Sequence, residues 1–495
     1  MNGRQDDLPT IFERSEPGRR AARPPVVEGP SMAALLGDAA LRDAPPALPE
    51  VSELDLVRHY TNLAHRQTSI DGNVYPLGSC TMKYNPKVHE EVAALFEDLH
   101  PEQDPSSVQG LLEALGTLQG WLGSITGMDE VTLQPAAGAH GELTGILMIR
   151  AYHEANGEGA QRRHVIVPDA AHGTNPATAG MVGYDVVEVP TAADGEVDLD
   201  AMKAALGPDT AAVMLTNPST VGIFETRILE IADAAHAVGA QLYYDGANLN
   251  AIVGKARPGD MGFDVVHMNL HKTLTTPHGG GGPGTGPVGV KAHLAPYLPL
   301  PHVTRDADGA WGLTTDAATS IGRMRSYYGN VGNLVRAYAY VRSLGAEGLA
   351  NVAEMAVLNA NYLRVRMREA GFASAFERTC MHEFVARPPE GVSTNDVAKA
   401  LLDEGMHPMT VYFPMVVKEA MMVEPTETES LQTLDAYADA LARILRRAER
   451  DPASLAEAPT TTPVRRLDEV AAARRPVLRW RPREDDADVA GAAAD

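Results

Sequence analysis

Five short apolar runs divide the stretch from residue 165 to residue 268: Val165-Ile166-Val167, Val186-Val187-Glu188-Val189, Ala211-Ala212-Val213-Met214-Leu215, Gln241-Leu242-Tyr243-Tyr244 and Val265-Val266-His267-Met268. Helical patterns such as residues 200–206 and 228–238 separate them. Strands that alternate with helices predict a mostly parallel sheet covered on both faces. In such sheets ligands bind at the carboxyl ends of the strands, so the residues that follow each run are the first candidates for chemistry.

The flanking segments predict four regions. Residues 1–55 are rich in Pro, Arg and Ala and predict an extended arm with one short helix around residues 32–36. Residues 56–330 form the large domain, which begins with a helical part, and residues 331–450 form a smaller α+β domain. Residues 451–495 form a polar tail.

Composition limits the classes of function. The chain has 495 residues, of which 44% are hydrophobic, as in globular proteins, and a formal net charge of −23. This charge would repel nucleic acid. No run reaches the roughly 18 apolar residues of a membrane span, and the N-terminus lacks a secretory apolar core. Two cysteines cannot form a disulfide framework, so we expect a cytoplasmic protein.

A lysine follows the last of the five runs, in Asn269-Leu270-His271-Lys272-Thr273. A buried ammonium is costly, and a lysine held as an imine with a carbonyl cofactor loses its charge. Taken alone, the lysine is better explained as a strand-end residue that reaches solvent. The next segment, His278-Gly279-Gly280-Gly281-Gly282-Pro283-Gly284, favours function, because glycine lets backbone approach a ligand closely. A flexible linker is the alternative for this segment.

An aspartate ends the fourth run, in Tyr243-Tyr244-Asp245-Gly246-Ala247. A buried carboxylate needs a partner, and the protonated ring nitrogen of pyridoxal phosphate (PLP) would be one. Ala247 points to the same side and could lie flat against the ring. A helix N-cap is an equally good explanation for Asp245.

Three weaker motifs accompany these two. Gly138, Ala139 and His140 open a helical pattern, where free backbone N–H groups suit a phosphate and His140 could stack on the ring. His172-Gly173-Thr174 follows the first run, and Asn217 follows the third, where it could reach the phenolic oxygen. Each alone is more readily a turn. Their recurrence at successive strand ends is the signal, and nothing in it suggests a metal.

The segments around Lys272 and the glycine run resemble glycine dehydrogenase (decarboxylating), the P-protein of the glycine cleavage system. Tyr75-Pro76-Leu77-Gly78-Ser79-Cys80-Thr81-Met82-Lys83-Tyr84-Asn85-Pro86 carries the same resemblance, which covers nearly the whole chain. The length indicates subunit 2 of the form that is split into two chains. The resemblance implies a type I PLP-dependent transferase fold, like aspartate aminotransferase, with a mostly parallel seven-stranded sheet flanked by helices.

The resemblance also implies the activity and the partners. Glycine would lose carbon dioxide on PLP, and the aminomethyl group would pass to the lipoyl arm of the H-protein, which makes the chain an oxidoreductase. Subunit 1 would complete a heterotetramer with two copies of each chain. Arm and tail segments with the possible anchors Phe12, Leu478 and Trp480 would order against subunit 1.

The resemblance assigns roles to individual residues. Lys272 would form the imine, Asp245 would pair with the pyridinium and His140 would stack. Cofactor contacts would come from Gly138, Ala139, Ala247, Asn217 and His271. Less certain substrate or loop residues are His172, Thr174, Ser79, Lys83, Asn85, His278 and Gly280. For Ser79, Lys83 and Asn85, a structural turn flanked by prolines is an equally good explanation.

Two other functions stay open at this point. The first is a PLP-dependent decarboxylase or lyase that needs no lipoyl acceptor. The second is a scaffold subunit that keeps the fold without catalysis, against which Lys272 and Asp245 argue.

Overall fold

The structure, a computed structural model, describes residues 8–23, 25, 28–44, 46–278 and 284–479. The chain forms two compact units, residues 1–66 with 457–495 and residues 67–456. Gly280, most of the glycine run and Trp480 lie outside the described residues.

The described helices are, in chain order, α1 (Met32–Leu36), α2 (Glu53–Ala64), α3 (Val88–Ala94), α4 (Gln109–Thr126), α5 (Gly138–Ala155), α6 (Thr174–Val182), α7 (Leu199–Ala205), α8 (Ile228–Ala237), α9 (Leu270–Thr273), α10 (Val331–Glu369), α11 (Thr394–Asp403), α12 (Leu431–Arg450), α13 (Pro452–Ala456) and α14 (Glu469–Arg474). Gly345 interrupts α10 with a φ of 63°. Among the described helices, none has both the length and the apolarity of a membrane span.

The described strands are β1 (Glu130–Thr132), β2 (His164–Pro168), β3 (Asp185–Val189), β4 (Thr210–Thr216), β5 (Gln241–Gly246), β6 (Val265–Met268), β7 (Val288–Val290), β8 (His302–Arg305), β9 (Trp311–Thr314), β10 (Ala373–Ser374), β11 (Phe384–Arg387), β12 (Thr410–Val411) and β13 (Met421–Val423).

The unit of residues 1–66 and 457–495 contains α1, α2 and α14. The Glu50 N–H donates to Ser15 Oγ at 2.8 Å, and Arg19 pairs with Asp55 at 3.2 Å. The short helix predicted around residues 32–36 is confirmed as α1, which Ser31 caps by accepting the Ala34 N–H.

Residues 67–456 carry the large sheet. Its order is β1-β7-β6-β5-β4-β2-β3, and β7 is antiparallel to both of its neighbours while the other pairs are parallel. All five apolar runs are strands, so the predicted mostly parallel sheet of seven strands is confirmed. The sequence reading missed β1, whose three residues are too few for a visible pattern.

The central strand β5 is buried on both faces. Tyr243 and Tyr244 are each fully buried, yet they pack in different apolar clusters because successive side chains point to opposite faces. Tyr244 belongs to the cluster that includes Ile231 of α8, and Tyr243 belongs to the cluster that includes Ile146 of α5; both helices contact β5. Helices therefore cover both faces and leave the carboxyl ends of the strands as the open edge.

The C-terminal part of this unit is a second, smaller sheet with helices. The order is β10-β11-β13-β12, and all three pairings are antiparallel. The helix α12 packs on α10 through buried residues such as Leu434, Leu441 and Ile444. The α/β fold class with a smaller C-terminal α+β part is confirmed, and the domain boundaries stay predictions.

Candidate active site

Three neighbouring strands end in polar residues that lie side by side. In the parallel register Thr216 of β4 pairs with Asp245 of β5, and Asp245 pairs with His267 of β6. Residues in register on neighbouring strands point to the same side. The sheet therefore brings these side chains together at its carboxyl edge.

Asp245 is 2% exposed, and both of its carboxylate oxygens have polar partners. It accepts the Ala247 N–H at 2.9 Å and the Asn175 amide at 2.9 Å, and His267 Nε2 lies 3.3 Å from its Oδ1. Burial raises the pKa of Asp245, but His267 and these two donors outweigh burial, so the pKa is lowered. Asp245 is thus a carboxylate, as a partner for a protonated ring nitrogen must be.

His267 joins Asp245 to the buried Tyr243. The Tyr243 hydroxyl lies 2.7 Å from His267 Nδ1, and burial holds the pKa of Tyr243 well above its usual value. Burial also lowers the pKa of His267, while the Asp245 charge opposes this effect. A neutral ring that accepts from Tyr243 at Nδ1 carries its proton on Nε2, facing Asp245.

Glu142 on α5 is a second buried acid, which the sequence reading did not single out. Its carboxylate accepts from Thr174 Oγ1 at 2.7 Å and from Thr178 Oγ1 at 3.3 Å. Burial and then the Asp245 charge raise the pKa of Glu142 to about 7. Glu142, Asp245 and His267 each place one polar atom within 4.8 Å of the others. The signal for Glu142 in the sequence is a glutamate that stands among the apolar residues of a predicted helix.

Lys272 lies on α9, the short helix that directly follows β6. Its side chain is half-buried, and its backbone N–H donates to the Asn269 carbonyl at 2.9 Å. The Lys272 charge acts on Asp245, whose pKa it helps to lower. Asp245 near the end of β5 and Lys272 just after β6 thus both lie at the carboxyl ends of neighbouring strands, and their action on one cofactor stays a prediction.

The N-terminus of α5 contributes the predicted phosphate segment. Gly138 is buried and Ala139 is exposed. A Cβ on Gly138 would come within 2.0 Å of Asn269 Oδ1, so any larger residue would displace the Asn269 side chain. His140 Nδ1 accepts the Ala136 N–H at 3.1 Å, and burial lowers the pKa of His140, which leaves the ring neutral.

His172 and Thr174 lie between Glu142 and the C-terminal part of the unit. His172 Nδ1 is 2.8 Å from Thr174 Oγ1, and the His172 ring lies 6.0 Å from that of Phe413. Thr174 is thus a partner of Glu142, and a substrate contact for either residue stays a prediction.

Asn217 has a structural role that the sequence did not reveal. Its Oδ1 accepts the Glu225 N–H at 2.9 Å, and its Nδ2 donates to the Glu225 carbonyl at 3.5 Å. The side chain is fully buried in this turn. Its predicted contact with the phenolic oxygen stays a prediction, and these bonds compete with it.

The N-terminal motif reaches the site through Ser79. The Ser79 N–H donates to Glu383 Oε2 at 2.8 Å, while Lys83 is 3% exposed and pairs with Glu427 at 2.6 Å. Lys83 also donates to the carbonyl of Thr273, next to Lys272, at 2.9 Å. Lys83 therefore stabilises α9, the helix that carries Lys272, through its bond to Thr273. Asn85 is half-buried, and its role stays a prediction.

His271 and His278, which flank Lys272 in the sequence, pack against each other. Their ring centroids are 5.0 Å apart and nearly perpendicular. Burial lowers the pKa of His271 to about 3 and lowers that of His278 as well. Both rings are therefore neutral, and they can donate or accept one hydrogen bond at each nitrogen.

The residues around Lys272 fit PLP because they include buried polar atoms that have no hydrogen-bond partner in the described part of the chain. Within the described ranges, several buried polar atoms at the strand ends have no hydrogen-bond partner, which is rare in folded proteins. They are Thr216 Oγ1, Ser219 Oγ, Asn269 Oδ1, His271 Nδ1, Thr273 Oγ1, Thr275 Oγ1, Thr276 Oγ1 and Thr285 Oγ1. Asn269 adjoins Gly138 at the N-terminus of α5, and hydroxyls without a partner are suitable donors for a phosphate.

A second buried cluster, also missed from the sequence, consists of His382, Glu383 and Glu424. All three are 0% exposed, and their donor atoms lie within 4.8 Å of one another. The Asn248 amide, just beyond the end of β5, donates to Glu383 at 3.1 Å. This bond fixes the cluster against the carboxyl edge of the large sheet.

Comparisons with known proteins agree with this geometry. Residues 352–461 match the family model described as "Glycine dehydrogenase, C-terminal domain", and residues 147–302 match that of class-V aminotransferases. The chain is 60% identical over 473 residues to the probable glycine dehydrogenase (decarboxylating) subunit 2 of Thermus thermophilus, covering 96% of this chain and 99% of that protein. The corresponding protein of Fervidobacterium nodosum is 55% identical over 95% of this chain and 100% of its own length.

Solved structures share the fold. A glycine decarboxylase (P-protein) of the glycine cleavage system, in inhibitor-bound form, superposes with a TM-score of 0.71 at 23% identity and covers 84% of this chain and 95% of its own. A cysteine desulfurase from Thermococcus onnurineus superposes with a TM-score of 0.59 at 13% identity, over 76% of this chain and 95% of its own.

Proposed function

The chain belongs to the family of glycine dehydrogenase (decarboxylating) subunit 2, and we propose that it is the PLP-binding subunit of a glycine decarboxylase, with Lys272 as the residue that holds the cofactor covalently. The observation that supports the assignment of Lys272 is that its charge acts on the buried Asp245, while the hydroxyls of Thr273, Thr275 and Thr276, which follow it closely in the chain, are buried without a hydrogen-bond partner among the described residues. The predicted family, enzyme class and cofactor are in agreement with the comparisons.

When bound, PLP supplies a ring that accepts the electron pair left behind as carbon dioxide departs from glycine. The residues of the protein would orient the cofactor and hold protons at defined atoms. Asp245 would pair with the ring nitrogen as a carboxylate, and the Tyr243–His267 relay fixes its orientation. The hydroxyls of Thr275 and Thr285 and the N-terminus of α5 would hold the phosphate.

The name of the family implies a partner, subunit 1. We propose that two copies of each chain assemble and that the acceptor of the aminomethyl group is the lipoyl arm of an H-protein. We also place the enzyme in the cytoplasm, because Cys80 and Cys380 are both free thiols.

The test is exchange of the glycine carboxyl carbon with labelled bicarbonate, measured with subunit 1 and lipoylated H-protein present. Lys272→Ala should abolish both this exchange and the visible absorbance of the bound cofactor, while the far-UV circular dichroism stays unchanged. The matched control is Lys291→Ala, because Lys291 also follows a strand but donates to the Gly127 carbonyl, at 2.8 Å. Exchange that persists in Lys272→Ala would refute the assignment. Exchange without H-protein would support the lyase alternative.

A further inference from the structure

A line of three polar side chains joins the exposed His172 to the buried Glu142. His172 Nδ1 lies 2.8 Å from Thr174 Oγ1, and Thr174 Oγ1 lies 2.7 Å from Glu142 Oε1. His172 is exposed, Thr174 is half-buried and Glu142 is 3% exposed, so the line runs from the surface into the interior. A single hydroxyl group therefore connects an imidazole ring with a carboxyl group.

This line lies beside Asp245. The Asn175 amide donates to Asp245 Oδ2 at 2.9 Å, and one oxygen of Glu142 lies within 4.8 Å of one oxygen of Asp245. His172 follows β2, so it stands at the same carboxyl edge of the sheet as Asp245. Among the described residues, Nε2 of His172 has no hydrogen-bond partner, and the ring is exposed. This nitrogen is therefore free to contact a ligand in the site.

The hydrogens within the line can be placed in only two ways. Thr174 has one hydroxyl hydrogen, which points either to Glu142 or to His172. Contacts of 2.7 and 2.8 Å between two acceptors would be repulsive, so each of the two gaps must contain one hydrogen. If the hydroxyl hydrogen fills one gap, then the second hydrogen must come from the residue at the other end.

The two arrangements differ in the nitrogen of His172 that carries the proton. With Glu142 ionised, Thr174 donates to Glu142 and His172 donates from Nδ1, which leaves Nε2 of the neutral ring as an acceptor. With Glu142 protonated, Glu142 donates to Thr174, Thr174 donates to Nδ1, and the proton of the ring is on Nε2. In this second arrangement Nδ1 also accepts the Thr174 N–H, at 3.3 Å. The proton on Glu142 thus decides whether Nε2 accepts or donates.

Glu142 is the acid of this pair that binds a proton more readily. Two buried carboxyl groups this close do not both ionise without a cost. Asp245 accepts from two N–H groups and lies 3.3 Å from His267, whereas Glu142 accepts from two hydroxyls. Burial and then the Asp245 charge raise the pKa of Glu142 to about 7. Glu142 therefore changes its charge close to neutral pH.

We propose that Glu142 and Thr174 are positioning residues that set which ring nitrogen of His172 carries the proton, and so set whether Nε2 takes up or gives a proton in the site. The proposal deepens the proposed function and rests on the predicted place of His172 at the substrate. When Nε2 takes up a proton, an N–H bond forms there, and the electron pair of the broken bond stays with the atom that lost the proton. The Glu142 carboxylate then balances the charge of the ring through Thr174.

Other ionisable groups act on the two ends of this line, and the variants below leave them unchanged. They are Tyr243 and Asp245 of β5, His267 of β6 and Lys272 of α9.

The test is the tautomer of His172 in the full-length chain, measured from the NMR shifts of isotope-labelled histidine ring nitrogens. The signal of His172 is identified by its loss in His172→Gln. Burial lowers the pKa of His172, so the ring is neutral above its ordinary pKa of 6.5. As the pH rises through about 7, the wild type should change from the Nε2–H to the Nδ1–H tautomer, because Glu142 loses its proton there.

The variants separate the line from its surroundings. Thr174→Val keeps the shape of the side chain and removes the hydroxyl, so it should abolish the change of tautomer, and Thr174→Ser should restore it. Glu142→Gln should also abolish the change, because an amide does not titrate. The matched control is Thr178→Val, since Thr178 Oγ1 also donates to Glu142, at 3.3 Å. In that variant the change should persist, with its midpoint raised by no more than about one pH unit.

The consequence for the reaction is measured by glycine–bicarbonate exchange with subunit 1 and H-protein. In the wild type, kcat should rise with pH through about 7, as Nε2 becomes an acceptor. Thr174→Val should remove this rise and lower kcat about tenfold or more, while Thr174→Ser keeps both. An unchanged kcat in Thr174→Val overturns the role given to the line in the reaction.

Two outcomes of the NMR measurement would overturn the proposal. The first is a wild-type tautomer that does not change with pH, which is decisive even where a variant does not fold. The second is a change that persists in Thr174→Val or in Glu142→Gln, because another group would then cause it. The tautomer is measured without cofactor, so a chain that fails to bind PLP refutes the proposed function and not the line of hydrogen bonds.

Discussion

Lys83 offers the sharpest test of how the site is supported. Its side chain is 1% exposed and donates to Glu427 at 2.6 Å, Asn250 Oδ1 at 2.8 Å and the Thr273 carbonyl at 2.9 Å. The ammonium also lies 5.3 Å from the ring centroid of Tyr340. Lys83→Met keeps the length of the side chain and removes the charge, these three hydrogen bonds and a fourth to the Tyr340 hydroxyl at 3.4 Å.

The cost follows from what the substitution leaves behind. Breaking a buried ion pair by removing one partner costs about 3–5 kcal/mol, because the other charge stays buried. The Asn250 amide still donates to Glu427, at 3.2 Å, and reduces the cost. The Thr273 carbonyl loses a donor, which adds about 1 kcal/mol. We expect a loss of about 4 kcal/mol in the free energy of unfolding.

The assay is urea unfolding of the full-length chain followed by circular dichroism. Lys83→Met with Glu427→Met should recover most of the loss, since it removes the orphaned charge. The matched surface control is Lys255→Met, because Lys255 pairs with Glu354 at side-chain exposures of 43% and 59% and should cost less than about 1 kcal/mol. If Lys83→Met costs no more than Lys255→Met, the structural role given to Lys83 is wrong.

Three further outcomes are expected. Asp245→Asn should lower kcat for glycine–bicarbonate exchange by about 10²–10³-fold with little change in KM, because it removes electrostatic stabilisation from the reacting ring, and an effect on KM alone would contradict this. Gly138→Ala should weaken PLP binding about tenfold or more, because its Cβ would lie 2.0 Å from Asn269 Oδ1, whereas Gly110→Ala, with no atom within 4 Å, should not. The chain alone should show little H-protein-dependent exchange until subunit 1 is added, and full activity from this chain by itself would refute that dependence.

The sequence predicted the centre of the site because strand ends can be located from local patterns. The runs at residues 241–244 and 265–268 placed Asp245 and Lys272 at the same edge of one sheet, and the register confirms that Asp245 pairs with His267. This part of the prediction needed only the alternation of strands and helices and the rule that ligands bind at carboxyl ends.

The rest of the site depends on contacts that no local pattern encodes. Glu142 and His267 are single polar residues inside apolar segments, where sequence alone does not distinguish a site residue from a structural one. Asn217 and Lys83 show a second difficulty: their side chains are bound to Glu225 and Glu427, which the local sequence does not indicate, and their predicted contacts in the site stay predictions.

The buried glutamates Glu383 and Glu424 link the site to the completion of the fold. The Ser79 N–H bond spans 304 positions to Glu383, and the Thr81 N–H bond spans 343 positions to Glu424. The unfavourable φ angles of Ser79 and Thr81, 68° and 49°, persist only while these acceptors are present. The turn of Ser79, Cys80 and Thr81 can therefore adopt its conformation only after the smaller sheet has folded. Because loop closure over such separations costs entropy, the contacts that shape the site are expected to form late, and the site is complete only when nearly the whole of residues 67–456 is in place.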